Sequence, residues 1–217
     1  MAIIWPYRSS VSSYVSAGQQ VVVPPQRCPT CLRQLIGWGG YWRWLRAPLL
    51  VERIWIHRGR CSACRRSHAL LPDLVLVRRL DAVDVIGHGL ALKVSSVGLG
   101  LRSIAEQLDV PHATLRTWWK RFRARSPALL ARCTALAVTL DGTSVDVHAV
   151  GERAALDTLT VAWQRARARF GERMGSLWSF WSRISGGHAL GTHTSSPWAG
   201  GSGADSMAPS PLRGPGP

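Results

Sequence analysis

The chain has 217 residues, enough for one medium domain or two to three small ones. Its 27 Lys and Arg against 12 Asp and Glu leave a net charge of +15, which points to a polyanionic partner, nucleic acid or an anionic membrane surface. Five cysteines, four of them in two CxxC pairs, argue against a disulfide framework and for metal binding in a reducing compartment.

The basic residues are nearly all arginine, Lys93 and Lys120 being the only lysines, a skew that a GC-rich genome also produces. Their distribution is more informative. Cys28 to Leu80 holds ten Arg against Glu52 and Asp73, and Leu101 to Arg132 holds seven basic residues against Glu106 and Asp109. The opening MAIIWPYRSS lacks a basic n-region and a long apolar run, so no secretory signal is expected.

Residues 1–27 read as an N-terminal arm, with Val21-Val22-Val23 extended and stopped by Pro24-Pro25. Residues 28–80 form the cysteine segment. Within it Tyr41 to Leu45 and Leu50 to His57 read as two short strands, with Gly39-Gly40 and Pro48 as turns or breaks. Trp42, Trp44, Ile54, Trp55 and Ile56 are its apolar content, and aromatics in so small a domain are expected in its core. Residues 81–132 read as helical. Ala82, Val85, Ile86, Leu90 and Val94 recur at spacings of three and four, Gly98 and Gly100 end that helix, and two shorter helices follow. Ala82 to Leu101 is the most apolar stretch, but Asp84, His88 and Lys93 make it too polar to span a membrane. Residues 133–185 read as a further helix or pair, with Leu156, Leu159, Trp163 and Phe170 as its apolar face. From 186 to 217 Gly, Ser and Pro dominate, and a disordered tail is expected. The fold class expected is α+β.

Cys28-Pro-Thr-Cys31 and Cys61-Ser-Ala-Cys64 are separated by 29 residues. Two residues between paired cysteines let one tight knuckle present both sulfurs to a single ion, and four thiolates suit tetrahedral Zn2+. The intervening segment is long enough for a β-hairpin that returns the second knuckle to the first, which is the logic of a zinc ribbon. Such a site is coordinatively closed and structural. Glycine commonly follows the second cysteine of a knuckle, where the backbone turns sharply; here Leu32 and Arg65 stand there. Redox pairs are the competing reading of two CxxC motifs. His57 and His68 are alternative ligands, more simply read as ordinary polar residues, and Cys133 reads as a buried apolar side chain.

Leu101 to Phe122 fits a helix-turn-helix. Ala105 is the small residue where two helices meet, and Asp109 falls at the turn, where a left-handed backbone is needed. Leu115 anchors the second helix, with Ile104, Leu108 and Val110 completing a small core, and Pro111 suits a helix start. Arg116, Lys120 and Arg123 follow one face at i, i+4, i+7, suited to phosphates, while residues at the helix start reach base edges. The candidate DNA-contacting residues are Arg102, His112, Ala113, Arg116, Thr117, Lys120, Arg121 and Arg123, with Arg116 best suited to guanine. An amphipathic pair with a merely solvated basic face is the plainer alternative.

Together, Cys28-Pro-Thr-Cys31, the hairpin Gly39-Gly40-Tyr41-Trp42-Arg43-Trp44, Arg60 to Pro72 and the helix-turn-helix resemble an uncharacterised bacterial family known as a domain of unknown function. The layout is similar to the N-terminal DNA-binding region of insertion-sequence transposases over roughly residues 3–125. The resemblance implies zinc-stabilised DNA binding of mobile-element origin and no enzymatic activity. A nuclease core would need three metal-binding acidic residues. Only Asp141, Asp146, Glu152, Asp157 and Glu172 are available before the tail, in a stretch shorter than the ~100 residues such a domain needs. The expected function is therefore sequence-specific binding of double-stranded DNA by a cytoplasmic, nucleoid-associated protein. It has no membrane or small-molecule partner, and residues 133–185 are a candidate dimerisation region. The competing readings are an active DNA-processing enzyme, and an RNA or protein adaptor in which Tyr41, Trp42, Trp44 and Trp55 stack on bases or on a partner.

Overall fold

The computed structural model describes residues 1–48, 50–95 and 99–191. In chain order the elements are β1 (Ala2–Trp5), α1 (Val11–Ala17), β2 (Leu35–Ala47), β3 (Leu50–Cys61), β4 (Ser67–Pro72), α2 (Val83–Ser95), α3 (Leu101–Gln107), α4 (His112–Asp141), α5 (Gly151–Phe170) and α6 (Leu177–Ile184). A four-stranded sheet in the order β1-β4-β3-β2 precedes a run of helices, so the fold is α+β.

β2 and β3 make one antiparallel hairpin, in register from Leu35↔Cys61 to Ala47↔Leu50. It is longer at the cysteine end than the strands read from sequence. The glycines do not break it: the register shifts between Gly37 and Gly40 while Gly39 takes φ +63°, so one extra residue is absorbed as a bulge. β4 pairs antiparallel with β3 and parallel with β1. The first residues are thus a strand of the sheet rather than a loose arm, while Val21 to Val23 join no strand. α1 is capped by Ser10, whose Oγ accepts from the Ser13 N–H. It packs Tyr14 between the ring of Trp5 and β3, where the phenol donates to the Trp55 carbonyl at 2.9 Å.

The hairpin's closed end docks on the segment that leads into α2 (Val83–Ser95). Arg46 donates its backbone N–H to the Leu80 carbonyl, accepts from the Ala82 N–H, and places its guanidinium 2.8 Å from the buried Asp81 carboxylate. α2 follows, burying Val85, Ile86 and Leu90 as its periodicity predicts. Two buried glycines let its neighbours approach. A Cβ at Gly87 would lie 2.0 Å from the Trp178 ring of α6, and one at Gly89 within about 3 Å of Leu108 and Leu115.

α4 runs unbroken for 30 residues, so the boundary drawn at 132/133 falls inside a helix and the helix after the α3–α4 turn is not short. α5 lies parallel to α4. Arg123 meets Glu152, Arg165 meets the Ala137 carbonyl and Arg169 meets the Leu140 carbonyl, a constant offset of 29, 28 and 29 residues. A parallel pair needs a long return, which the extended segment after Gly142 supplies. At that offset Cys133 sits level with Ala162 and Ala137 with Ala166, small buried side chains that permit close helix approach. Burial pushes the Cys133 thiol up to about 12, in keeping with an apolar role. Arg165 and Arg169 bring positive charge to the carbonyl end of α4, where the helix dipole favours it.

Order continues past residue 186. The Val77 N–H donates to the Gly187 carbonyl, Ala189 and Leu190 are buried, and Arg79, Arg121 and Arg125 donate to the Leu190 and Gly191 carbonyls. The disordered tail expected from 186 is corrected to that extent; its remainder, 192–217, lies outside the described residues, as does Gly98.

Candidate metal centre and helical basic face

Cys28 and Cys31 precede β2, Cys61 ends β3, and Cys64 follows it. The hairpin returns the second pair beside the first, and one sulfur from each residue lies within 4.8 Å of the other three. Among the described residues this is the one group of three or more His, Cys, Asp or Glu placed to hold a metal ion. The Cys28–Cys64 and Cys31–Cys61 sulfurs are 3.6 and 3.3 Å apart, close to the edge of about 3.8 Å that a tetrahedron of 2.3 Å metal–sulfur bonds requires.

The two knuckles are copies of one another. The Leu32 N–H donates to the Cys28 carbonyl and the Arg65 N–H to the Cys61 carbonyl, and the Cys28 and Cys61 N–H groups donate to Arg33 and Arg66. Leu32 and Arg65 adopt φ 59° and 62°, so the left-handed turn usually given to glycine is present without it. Backbone N–H groups converge on the sulfurs. Burial opposes ionisation of Cys28, yet the Thr30 and Cys31 amides outweigh it and hold the thiol at about 5. The Arg33 amide favours the Cys31 thiolate, but its hydrogen bonds to neighbouring thiols push it up to about 11. Cys61 is lowered, the Cys64 amide being the main cause; Cys64 is raised by its thiol neighbours despite the Arg66 amide. Four thiols in one small space cannot all ionise against each other, and a divalent cation is the partner that such a donor set fits.

His68 is buried on β4 with Nε2 3.7 Å from the Cys28 sulfur, placed behind that sulfur rather than among the clustered four. The β3–β4 register, Gly59↔His68, is what brings this alternative ligand beside Cys28 while leaving it outside the four. His57 lies along the hairpin against Trp55.

α3 and α4 meet at a tight corner. Ile104, Ala105, Val110 and Leu115 are buried, the Val110 N–H donates to the Ala105 carbonyl, and Asp109 takes φ 51°. The exposed rim carries Arg102, His112, Ala113, Arg116 and Lys120, with Arg123 beyond them. Three candidates are engaged within the chain. The Thr117 hydroxyl donates to the Ala113 carbonyl, Arg121 reaches Leu190 from another side of α4, and Arg123 pairs with Glu152 at 2.7 Å. Arg116, Lys120, Arg123 and Glu152 line a shallow depression with Trp119.

The acidic residues between 133 and 185 are scattered: Asp141 pairs with Arg165, Glu152 with Arg123, Asp157 with Arg153 and Glu172 with Arg167, while Asp146 lies 3.5 Å from the His148 ring. No helix among the described residues is long and apolar enough to cross a membrane.

Residues 28–118 match a family described as a domain of unknown function, DUF6431. The match begins at the first cysteine and ends in the second turn of α4, so the four cysteines, the hairpin and the α3–α4 corner all lie within the matched stretch. No curated protein and no solved structure matches the chain.

Proposed function

We propose that this chain is a zinc-stabilised protein that binds double-stranded DNA sequence-specifically, transposase-derived or regulatory, and carries no catalytic core. The observation that carries this reading is the α3–α4 corner: a buried Ala105, a left-handed Asp109 and a rim of Arg102, His112, Arg116 and Lys120 left to solvent. In this reading α3, the turn and α4 are a helix-turn-helix, and the first turns of α4 enter the major groove. Arg116 offers its fork to guanine, Arg102 and Lys120 meet phosphates, and Thr117, its hydroxyl already bonded, offers a methyl group to thymine. Arg121 is instead assigned to holding residue 190 in place.

The cysteine centre and hairpin are read as a zinc ribbon. Zinc held by four thiolates is a structural crosslink with no open position. It pins the open end of a hairpin whose other end, about 40 Å away by strand rise, meets the segment leading into α2. The dispersal of the carboxylates into separate pairs supports a binding rather than a cleaving protein. The same reading makes the protein cytoplasmic and nucleoid-associated, with a second copy as its partner on symmetric sites. Recovery of bound fragments across the genome tests it. A shared motif is expected, with Arg116→Ala relaxing preference at one base position; scattered recovery with no motif would overturn the assignment.

A further inference from the structure

The hairpin aromatics are not the core that sequence reasoning expected. Ile54 and Ile56 are buried, but Trp38, Tyr41, Trp42 and Trp44 are 47, 41, 40 and 54 % exposed. β2 is the edge strand of the sheet. Trp42 and Trp44 stand two residues apart, on one face and about 7 Å from each other along the strand. The register sets Trp55 opposite Trp42 and Arg53 opposite Trp44. Trp42 leans edge-on against Trp55 at 5.3 Å, which fixes its ring, and the Arg53 guanidinium stands over that ring at 5.7 Å. Farther along, Arg60 covers the Trp38 ring at 4.4 Å. Exposed indoles are thus interleaved with guanidinium groups, and Arg33 to Cys61 holds six arginines against Glu52 alone.

We propose that this hairpin face is a stacking platform for an unpaired DNA strand, with Trp42 and Trp44 taking successive bases and Arg53 and its neighbours the phosphates. Duplex bases have their faces covered by one another, so exposed indoles can stack only on unpaired ones. Aromatic side chains accept any base, and arginines supply the electrostatic track. The charge between Arg33 and Cys61 is nearly all of one sign, which favours a polyanion over a protein surface of mixed charge. β2 and β3 carry no Ser, Thr, Asn or Gln, so nothing on the platform beyond the Tyr41 phenol offers a hydroxyl or amide to read a 2′-hydroxyl or a base edge. Binding should therefore be tolerant of sequence. The platform is separate from α4, and its test does not depend on the helix-turn-helix reading.

The full metal-loaded chain is titrated into fluorescein-labelled oligo(dT) and followed by anisotropy. Trp44→Ala and Trp42→Ala should each weaken binding by about fivefold to a hundredfold, with Phe at either position restoring most of it. Arg116→Ala, which addresses duplex binding, should leave the oligo(dT) affinity unchanged. Trp44 is the more exposed ring, so Trp44→Ala remains decisive if Trp42→Ala fails to fold. Two results would overturn the proposal: folded Trp→Ala variants within twofold of the wild type, or oligo(rU) of equal length binding tenfold more tightly than oligo(dT).

Discussion

Glu152 stands among the basic residues of α4, and removing its charge gives the sharpest test of how that face works. Its carboxylate lies 2.7 Å from the Arg123 Nε, with the arginine side chain 63 % exposed and the glutamate 30 %. A pair this open contributes at most about 1 kcal/mol to stability, so Glu152→Gln should leave the thermal midpoint within a few degrees of the wild type. Its effect on DNA should be larger. A phosphate brought to Arg123 approaches the Glu152 carboxylate, and like charges about 4 Å apart cost about 1 kcal/mol even in bulk-water dielectric, roughly fivefold in Kd. Freeing the guanidinium adds about one phosphate contact, which should steepen the slope of log K against log salt by about 0.9. Duplex binding measured by anisotropy between 50 and 200 mM salt reads both quantities. An unchanged slope with unchanged affinity would show that Arg123 does not face the duplex, and would move the docking surface toward the first turns of α4 alone.

Other substitutions probe the framework that presents these surfaces. Gly87→Ala places a Cβ against the Trp178 ring, where an approach of 2.0 Å forces the indole to move; about 1–3 kcal/mol of destabilisation is expected, read as a lowered thermal midpoint. Asp73 is buried, accepts the Tyr7 N–H at 3.0 Å and faces Arg183, and burial raises its carboxyl to about 6. Because the folded state holds this proton more tightly than the unfolded chain, Asp73 adds stability as pH falls from about 6 toward 4 and withdraws it as pH rises. Asp73→Asn should flatten that part of the stability profile, measured as denaturant midpoints from pH 4 to 7; an unaltered profile would refute the assignment. Cys61→Ser should abolish stoichiometric metal binding by elemental analysis and lower the thermal midpoint, since the crosslink at the hairpin's open end is lost.

The sequence alone determined the local features whose cause is local. The CxxC pairs each make a knuckle because two intervening residues turn the backbone back on itself, even with Leu32 and Arg65 where glycine is usual. Ala105, Asp109 and Leu115 mark the corner between α3 and α4 because small size, tolerance of left-handed φ and apolar bulk are properties of single residues. Tertiary structure decided what depends on partners distant in sequence. The strand β1 exists only because β4 lies beside it, and His68 meets Cys28 only through the β3–β4 register. Trp42 and Trp44 stay largely in solvent while Ile54 and Ile56 are buried, a difference set by what packs on each face of the hairpin and not disclosed by the alternation of residues along it. Composition gave the charge of α4, but only the parallel return of α5 set Glu152 against Arg123 and brought residues 190–191 to Arg121 and Arg125. Which positive charges remain free for a partner is thus a property of packing.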